Sequence, residues 1–349
     1  MKAVDCLTGI VLENGWKILG PLKKPEGSTG GNFSCGYFVE RDGVQGFLKA
    51  LDFSAAFEPG IDTSEALQRL TSAFNHERDI LKHCKERRLS HVTLAIEHGY
   101  LQVPSLPQME GRVLYLIFEK AECDARRQLD LRNQRDFVWA AQVAKDVCLG
   151  LWQVHREMIA HQDTKPSNVL IYSGGKSKIA DFGRASSKAK PAAHDDYCVP
   201  GDKTYSSPEL LYGFIDQDFN VRRFGCDLYM LGNFICFLFS GANLTALMFQ
   251  FLPEELHSDN WSGTYSEVLP YIEKAYRQAI EQVSSDIDIA VRSDVVSLVK
   301  ELTNPNLSKR GSSKVIGTSD QYSLERFVTR LELLVKQAQI RARTVRMAS

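Results

Sequence analysis

His161 to Gly183 reads HQDTKPSNVLIYSGGKSKIADFG, two β-rich runs on either side of the turn Ser173-Gly174-Gly175-Lys176. Runs of this kind joined by a glycine-bearing turn predict a hairpin. Antiparallel pairing brings the two ends of a hairpin to one side. Asn168 opens the first run and Asp181 closes the second, so an amide carbonyl and a carboxylate are expected together at the same end. Two oxygen donors are poor equipment for zinc but suit Mg²⁺, which keeps positions open for water and phosphate. Asp163 lies just upstream, where it is able to accept a hydroxyl proton, and Lys165 between it and Asn168 is able to neutralise a phosphoryl group in transit.

The sequence on either side divides by composition. The first hundred or so residues alternate short β-rich runs with turns, as in "WKILGPL", "CGYFVE", "QGFLKALDF" and "VLYLIFE". One helix interrupts them. It starts at Asp62, with Glu65 three residues on as in a capping box, and places Leu67, Leu70, Phe74 and Leu81 on one face together with Glu77. After about Arg126 helical periodicity takes over, first in a stripe of Val143, Val147, Leu151 and Val154. The change of composition puts a linker at Phe118–Asp124. Leu228–Leu252 is uncharged and long enough to cross a bilayer. Its polar residues and the "SGAN" cluster instead favour one buried helix ending and another beginning, so no transmembrane span is expected.

With 349 residues and 44% apolar content, the chain is able to bury a large core. Forty-two Lys plus Arg against 43 Asp plus Glu leave a formal net charge of −1, which gives no general attraction to nucleic acid. The eight cysteines are scattered, with no CxxC pair. That pattern favours reduced thiols and a cytoplasmic location, and the amino terminus lacks the apolar run of a signal peptide.

Taken in order, these motifs resemble the eukaryotic-type protein kinase family. "HQDTKPSN" is similar to its catalytic loop, "DFG" at Asp181–Gly183 to its magnesium motif, and "SPE" at Ser207–Glu209 to the end of its activation segment. Upstream, Lys49 in "FLK" resembles the third-strand lysine and Glu77 in "HERDIL" its partner on the αC helix. Asp227 in "CDLYMLG" resembles the αF aspartate that anchors the catalytic loop, and Arg310 the late arginine that pairs with Glu209.

The resemblance implies an α+β, bilobal protein kinase fold: an N-terminal extension at 1–15, a small β-rich lobe with αC at 16–118, a hinge at 119–124, a larger, mostly helical lobe at 125–315 and a helix with a basic tail at 316–349. It implies ATP and Mg²⁺ as cofactors, with Mn²⁺ as the alternative ion, and a protein substrate. Asp163 and Lys165 would be catalytic, and Asn168 and Asp181 would hold the metal. Lys49, positioned by Glu77, would grip the phosphates under a glycine-rich loop represented by Gly31, Phe33 and Ser34. Phe118 would stand as gatekeeper, with the backbone of Glu119 and Ala121 facing adenine and Leu170 as its floor. Lys165, two after the base, favours Ser/Thr over Tyr as acceptor. A scaffold that retains the fold without activity, and a small-molecule kinase of the aminoglycoside or choline type, are the rival readings. The second generally lacks Lys165 and the SPE segment.

Six positions depart from the family pattern. Thr29 and Ser34 replace two of the three loop glycines, which would loosen backbone contact with phosphate. Gly36 replaces the β2 valine and Phe47 the small residue before Lys49, which suggests a swap of volume. Gln162 replaces the arginine that grips a phosphate in the activation segment, making this a non-RD variant, and a neutral amide cannot form that bidentate pair. Phosphorylation of Ser186, Ser187 or Thr204 is therefore not expected to be the main on-switch. Asp202 stands where Ser/Thr kinases carry a threonine. It is expected to pair with Lys165, to repel Asp163 and to perturb its pKa.

The tail carries Leu324, Phe327, Leu331 and Leu334 on one face, with arginines and lysines around and beyond it. Such a helix either docks on a partner or an acidic membrane surface, or packs on the large lobe with a frayed basic end; the second is favoured.

Overall fold

Residues 2–22, 34–131 and 136–348 are described in the computed structural model, with side chains to 343. They form two compact units, Met1–Arg88 with Thr93–Glu122, and Leu89–Val92 with Cys123–Ser349.

The first unit is an antiparallel sheet in the order β1-β2-β3-β5-β4, built from β1 (Lys17–Pro21), β2 (Ser34–Arg41), β3 (Val44–Leu51), β4 (Ala95–Gln102) and β5 (Arg112–Glu119). Asp42 and Gly43, both with positive φ, make the two-residue turn that keeps β2 and β3 in register from Ser34↔Leu51 to Arg41↔Val44. Period-2 alternation sends Leu48 and Ala50 into a core with Trp16, Ile18 and Ile117, and turns Phe47 and Lys49 to the other face. Within the N-terminal extension, Val4, Leu7 and Leu12 are buried in this same core, and the Tyr37 hydroxyl donates to the Val4 carbonyl. Helix α1 (Thr63–Glu86) starts at Asp62, whose carboxylate accepts from the Glu65 N–H at 3.0 Å. Its buried face comprises Leu70, Phe74, Glu77, Leu81 and Cys84.

The second unit begins inside the segment read as the hinge, with β6 (Cys123–Asp124) and α2 (Ala125–Asp130). Helix α3 (Phe137–Arg156) buries Val143, Val147, Leu151 and Val154 completely. A strand β7 (Ile159–Ala160) precedes the catalytic-loop residues, and β8 (Val169–Ile171) pairs with β9 (Ser177–Ile179) as the hairpin. Strand β10 (Ser186–Ser187) returns to β7, and α4 (Pro208–Leu211) closes the segment. Residues 89–92 belong here: the Ile179 N–H donates to the His91 carbonyl at 3.0 Å, the His91 N–H to Gln153 Oε1 at 3.0 Å, and Val92 bridges to Ile179.

Helix α5 (Gly225–Ser240) follows a π-helical turn at Asn220–Phe224 and is buried along almost its whole length. Gly241 ends it at φ 73°, and Asn243 caps α6 (Leu244–Gln250), an 86° bend away. Among the described residues, no single helix is long and apolar enough to cross a membrane. Helices α7 (Tyr265–Asp286), α8 (Arg292–Leu302) and α9 (Glu325–Ala348) complete the unit. Phe327, Leu331, Leu334 and Ala338 of α9 are buried, and the helix packs on α3. Arg310, fully buried, holds Glu209 through two bonds of 2.7 Å. The parallel fork of guanidinium and carboxylate fixes the end of the segment that begins at Asp181.

Candidate active site

The catalytic-loop residues are shaped by a buried carboxylate beneath them. Asp227, on the first turn of α5 and 0% exposed, accepts from the backbone N–H of His161 at 2.7 Å and of Gln162 at 2.8 Å, and from His155 Nε2 at 2.8 Å. Burial works to raise its carboxyl, but these donors outweigh it and hold the group below the ordinary value. Gln162 adopts φ 64°, a left-handed conformation uncommon outside glycine, and its side chain also donates to Asp227 at 3.2 Å. His161 is fully buried and bonds the Ala180 carbonyl at 3.0 Å, tying the loop to the end of β9.

That frame delivers three polar side chains to one place. Asp163 Oδ2 lies 2.8 Å from Asn168 Nδ2 and 3.2 Å from Lys165 Nζ, and all three residues are buried. The Asp163 carboxyl is raised, first by burial and further by the Asp181 charge, with Lys165 and the Asp202 N–H working in the opposite direction. A raised carboxyl that remains ionised is a stronger base for a hydroxyl proton. Lys165 is held cationic by the paired charges of Asp163 and Asp202, which outweigh its own burial.

Asp202 corrects one expectation. Its backbone N–H donates to Asp163 Oδ1 at 2.8 Å, while its carboxylate turns away to the Thr204 N–H at 3.0 Å, the Thr204 hydroxyl at 2.7 Å and Lys165 Nζ at 3.3 Å. Instead of repelling the base, the residue offers it a donor. The main-chain approach is close: a Cβ on Gly201 would collide with the Gln162 carbonyl and meet Asp163 Oδ1 at 2.8 Å.

The hairpin register, Val169↔Ile179, and an Ala180 N–H to Asn168 carbonyl bond of 2.8 Å bring Asn168 and Asp181 to the same end. Asn168 spends its Nδ2 on Asp163, which leaves Oδ1 as its ligand atom, and Asp181 is exposed at φ 65°. An amide oxygen and a carboxylate fit a hard divalent ion such as Mg²⁺. Such an ion draws its other ligands from water and phosphate. Leu170, on β8 between Asp124 and Lys178, is half-buried in the same unit.

The first unit carries the remaining predicted residues. Lys49 Nζ bonds both Glu77 oxygens, at 2.8 and 3.0 Å, and Glu77 is 6% exposed. Burial of Glu77 on the apolar face of α1 is what aims it at β3. Phe118 is buried next to Phe47 in the β3–β5 register, Glu119 ends β5 exposed, and Ala121 is half-buried. Ser34 opens β2, while Gly31 and Phe33 lie outside the described residues.

A family model for the protein kinase domain matches residues 61–320. The chain belongs to the protein kinase family. Lys49 and the first three strands precede the matched span. Among curated relatives, the serine/threonine-protein kinase SSN3 of Phaeosphaeria nodorum is 33% identical over 115 residues, 30% of this chain and 25% of that protein. The CTD kinase subunit alpha of Saccharomyces cerevisiae is 31% identical over 134 residues, 38% of this chain and 25% of its own length. The mitogen-activated protein kinase 5 of Arabidopsis thaliana is 24% identical over 173 residues, 48% and 44% of the two chains. The aligned part thus spans less than half of each of these relatives.

Two of the departures acquire a physical reason. A Cβ on Gly36 would meet the Phe47 ring at 2.7 Å, so the ring occupies the space that glycine leaves. Gln162, buried and neutral, receives a hydrogen bond from Arg223 Nη1 at 3.2 Å and donates to the Arg223 carbonyl at 2.9 Å. Sequence reasoning missed Arg223 and its carboxylate partner Asp195, because no spacing rule links them. Gln162 was the available signal: a lost cation at a site built for one implies that the charge is supplied from elsewhere. His155, stacked on Phe224 at 4.0 Å and bonded to Asp227, was missed for the same reason.

Proposed function

We propose that the chain transfers the γ-phosphoryl group of ATP to Ser or Thr hydroxyls of a protein substrate, using Mg²⁺ and needing no phosphate on its own activation segment. The observation that carries this reading is the contact of Asp163, Lys165 and Asn168 within 3.2 Å on one loop, with Asp181 returned to their end of the hairpin. Asp163 orients the acceptor hydroxyl and takes its proton at the carboxylate. Lys165 steadies negative charge on the transferring group. Asn168 Oδ1 and Asp181 would hold the metal, which when bound neutralises and orients phosphate oxygens. Lys49, fixed by Glu77, provides the cation for the α- and β-phosphates. Catalysis of this kind is positioning and electrostatics, with no covalent enzyme intermediate.

Ser186 is 1% exposed with its hydroxyl on Asp195, and the exposed Thr204 has its hydroxyl on Asp202, an arrangement that supports activity without modification. A cytoplasmic location is part of the same proposal, supported by the scattered cysteine spacing. The test is radiolabel transfer from γ-labelled ATP to a Ser/Thr peptide library, comparing the wild type with Asp163→Asn and Asp181→Asn. Label above both variants is the expected result. Equal background in all three favours a scaffold, and label on an aminoglycoside but on no peptide favours the small-molecule class.

A further inference from the structure

Arg223 is an arginine with 3% exposure at the foot of α5, and the phosphotransfer chemistry described so far does not use it. Its Nη2 donates to the Asp195 carbonyl at 2.7 Å and stands 3.1 Å from the Asp195 carboxylate, while Nη1 reaches Gln162. Arg222 donates to the same Asp195 carbonyl at 2.7 Å and to the Tyr197 carbonyl at 3.2 Å. The other Asp195 contacts come from within the segment, from the Ser186 hydroxyl and from the Ala192 N–H at 2.7 Å. Asp195 therefore gathers β10, the Ala192 turn and the base of α5 around one negative charge. Gln162 completes the path, because it bonds Arg223 and Asp227 and precedes Asp163 directly.

A buried guanidinium is stable only beside an anion that satisfies it. An arginine at position 162 would be matched by a phosphate added to the segment. Here the cation sits at 223 and the anion is an encoded side chain.

We propose that Asp195 and Arg223 are positioning residues for phosphoryl transfer: the carboxylate is a permanent anionic anchor for the segment from Asp181 to Glu209, and through Gln162 it holds the Asp163 loop ready. The catalytic half of this inference rests on the kinase reading above, whereas the anchoring half rests on the contacts alone.

The experiment uses the full chain after phosphatase treatment, shown by intact mass to carry no phosphate, with Asp195→Asn, Asp195→Glu and Arg223→Met. In Asp195→Asn, kcat is expected to fall at least tenfold while KM for ATP stays within twofold, and Asp195→Glu is expected to recover at least a third of wild-type kcat. Tryptic cleavage after Lys188, exposed on the anchored segment and followed by Ala189, should accelerate at least tenfold in Asp195→Asn with an unchanged thermal midpoint. Wild-type kcat together with wild-type cleavage in Asp195→Asn overturns the proposal, as does loss of wild-type activity on phosphatase treatment. Absence of transfer in the wild type sinks the kinase reading alone, and the cleavage rates then decide the anchor. If the Asp195 variants or Arg223→Met melt early, Ser186→Ala, which removes the hydroxyl that β10 places on the Asp195 carboxylate, is read in the same assays: faster cleavage supports the anchor and an unchanged rate refutes it.

Discussion

Asp227, on α5 beneath the loop, and Asp163, on the loop itself, are both buried carboxylates, and their environments push them in opposite directions. Asp227 lies where two backbone N–H groups and His155 converge, and hydrogen bonding overcomes burial. Asp163 has Lys165, Asn168 and one amide, but it also faces Asp181, and burial prevails. The number and direction of donors, not depth, separate a carboxylate that holds the chain in place from one that is free to take a proton. A fold that saturates one aspartate and under-serves another has divided scaffolding from chemistry using a single residue type.

Removing the anchor should produce the largest effect. Asp227→Ala strips the acceptor from two buried N–H groups and from His155, and is expected to cost about 3–5 kcal/mol of unfolding free energy in urea along with all transfer activity. A loss below about 1 kcal/mol would break the contrast.

Asp163→Asn should do the reverse. We expect about 10²- to 10⁴-fold loss of kcat with stability within about 1 kcal/mol of wild type, because the lost acceptor is offset by relief of a buried charge. The pH dependence carries opposite signs at the two sites. The depressed Asp227 contributes stability that is present above the unfolded-state carboxylate pKa and lost as pH falls through its folded value. The raised Asp163 favours its proton on folding, so it costs stability as pH rises from the ordinary carboxylate value through its own. Urea midpoints of Asp163→Asn should therefore gain on the wild type over that rise.

A smaller shift sharpens the account of Asp163 itself. Asp202→Asn leaves the backbone donor in place but gives Lys165 wholly to Asp163, which lowers the Asp163 pKa. The acid limb of kcat/KM should move to lower pH, with kcat at neutral pH changed only a few-fold; movement upward would show that the Asp202 carboxylate had been supporting the base.

Smallest for the catalytic loop is Phe47→Ala, in the other unit. It empties the space over Gly36, and we expect about 2 kcal/mol less stability and a few-fold weaker ATP binding, with the acid limb unmoved. Tighter ATP binding would identify the ring as an obstruction, and a moved limb would show that the limb does not belong to Asp163.

Much of this arrangement was legible in the residues. The alternation around "SGGK" gave the hairpin, and the helical face shared by Leu70, Phe74 and Glu77 placed a carboxylate where Lys49 meets it. Both are local periodicities, which a sequence displays directly. The Asp202 correction turns on whether a side chain or its own N–H points at Asp163, and a one-letter code does not carry that distinction. Arg223 and Asp195 escaped because their pairing depends on how β10 returns to β7. Val4, Leu7 and Leu12 follow no regular period, as expected of a segment made of turns and a 3₁₀ helix, so nothing marked them as core.

The four residues Leu89–Val92 have a practical consequence for dividing the molecule. The unit that carries Asp163 and Asp181 is discontinuous along the chain, and no single cut yields it whole. A recombinant fragment beginning at Cys123 would lack the carbonyl of His91, leaving the Ile179 N–H of the hairpin without its acceptor, and would uncover the closely packed surface of Gly150, where a Cβ would meet that same carbonyl at 2.7 Å. Complementation in trans by a peptide spanning this short insert, or a circular permutation that makes it contiguous with residue 123, is the route by which the larger unit would stand alone.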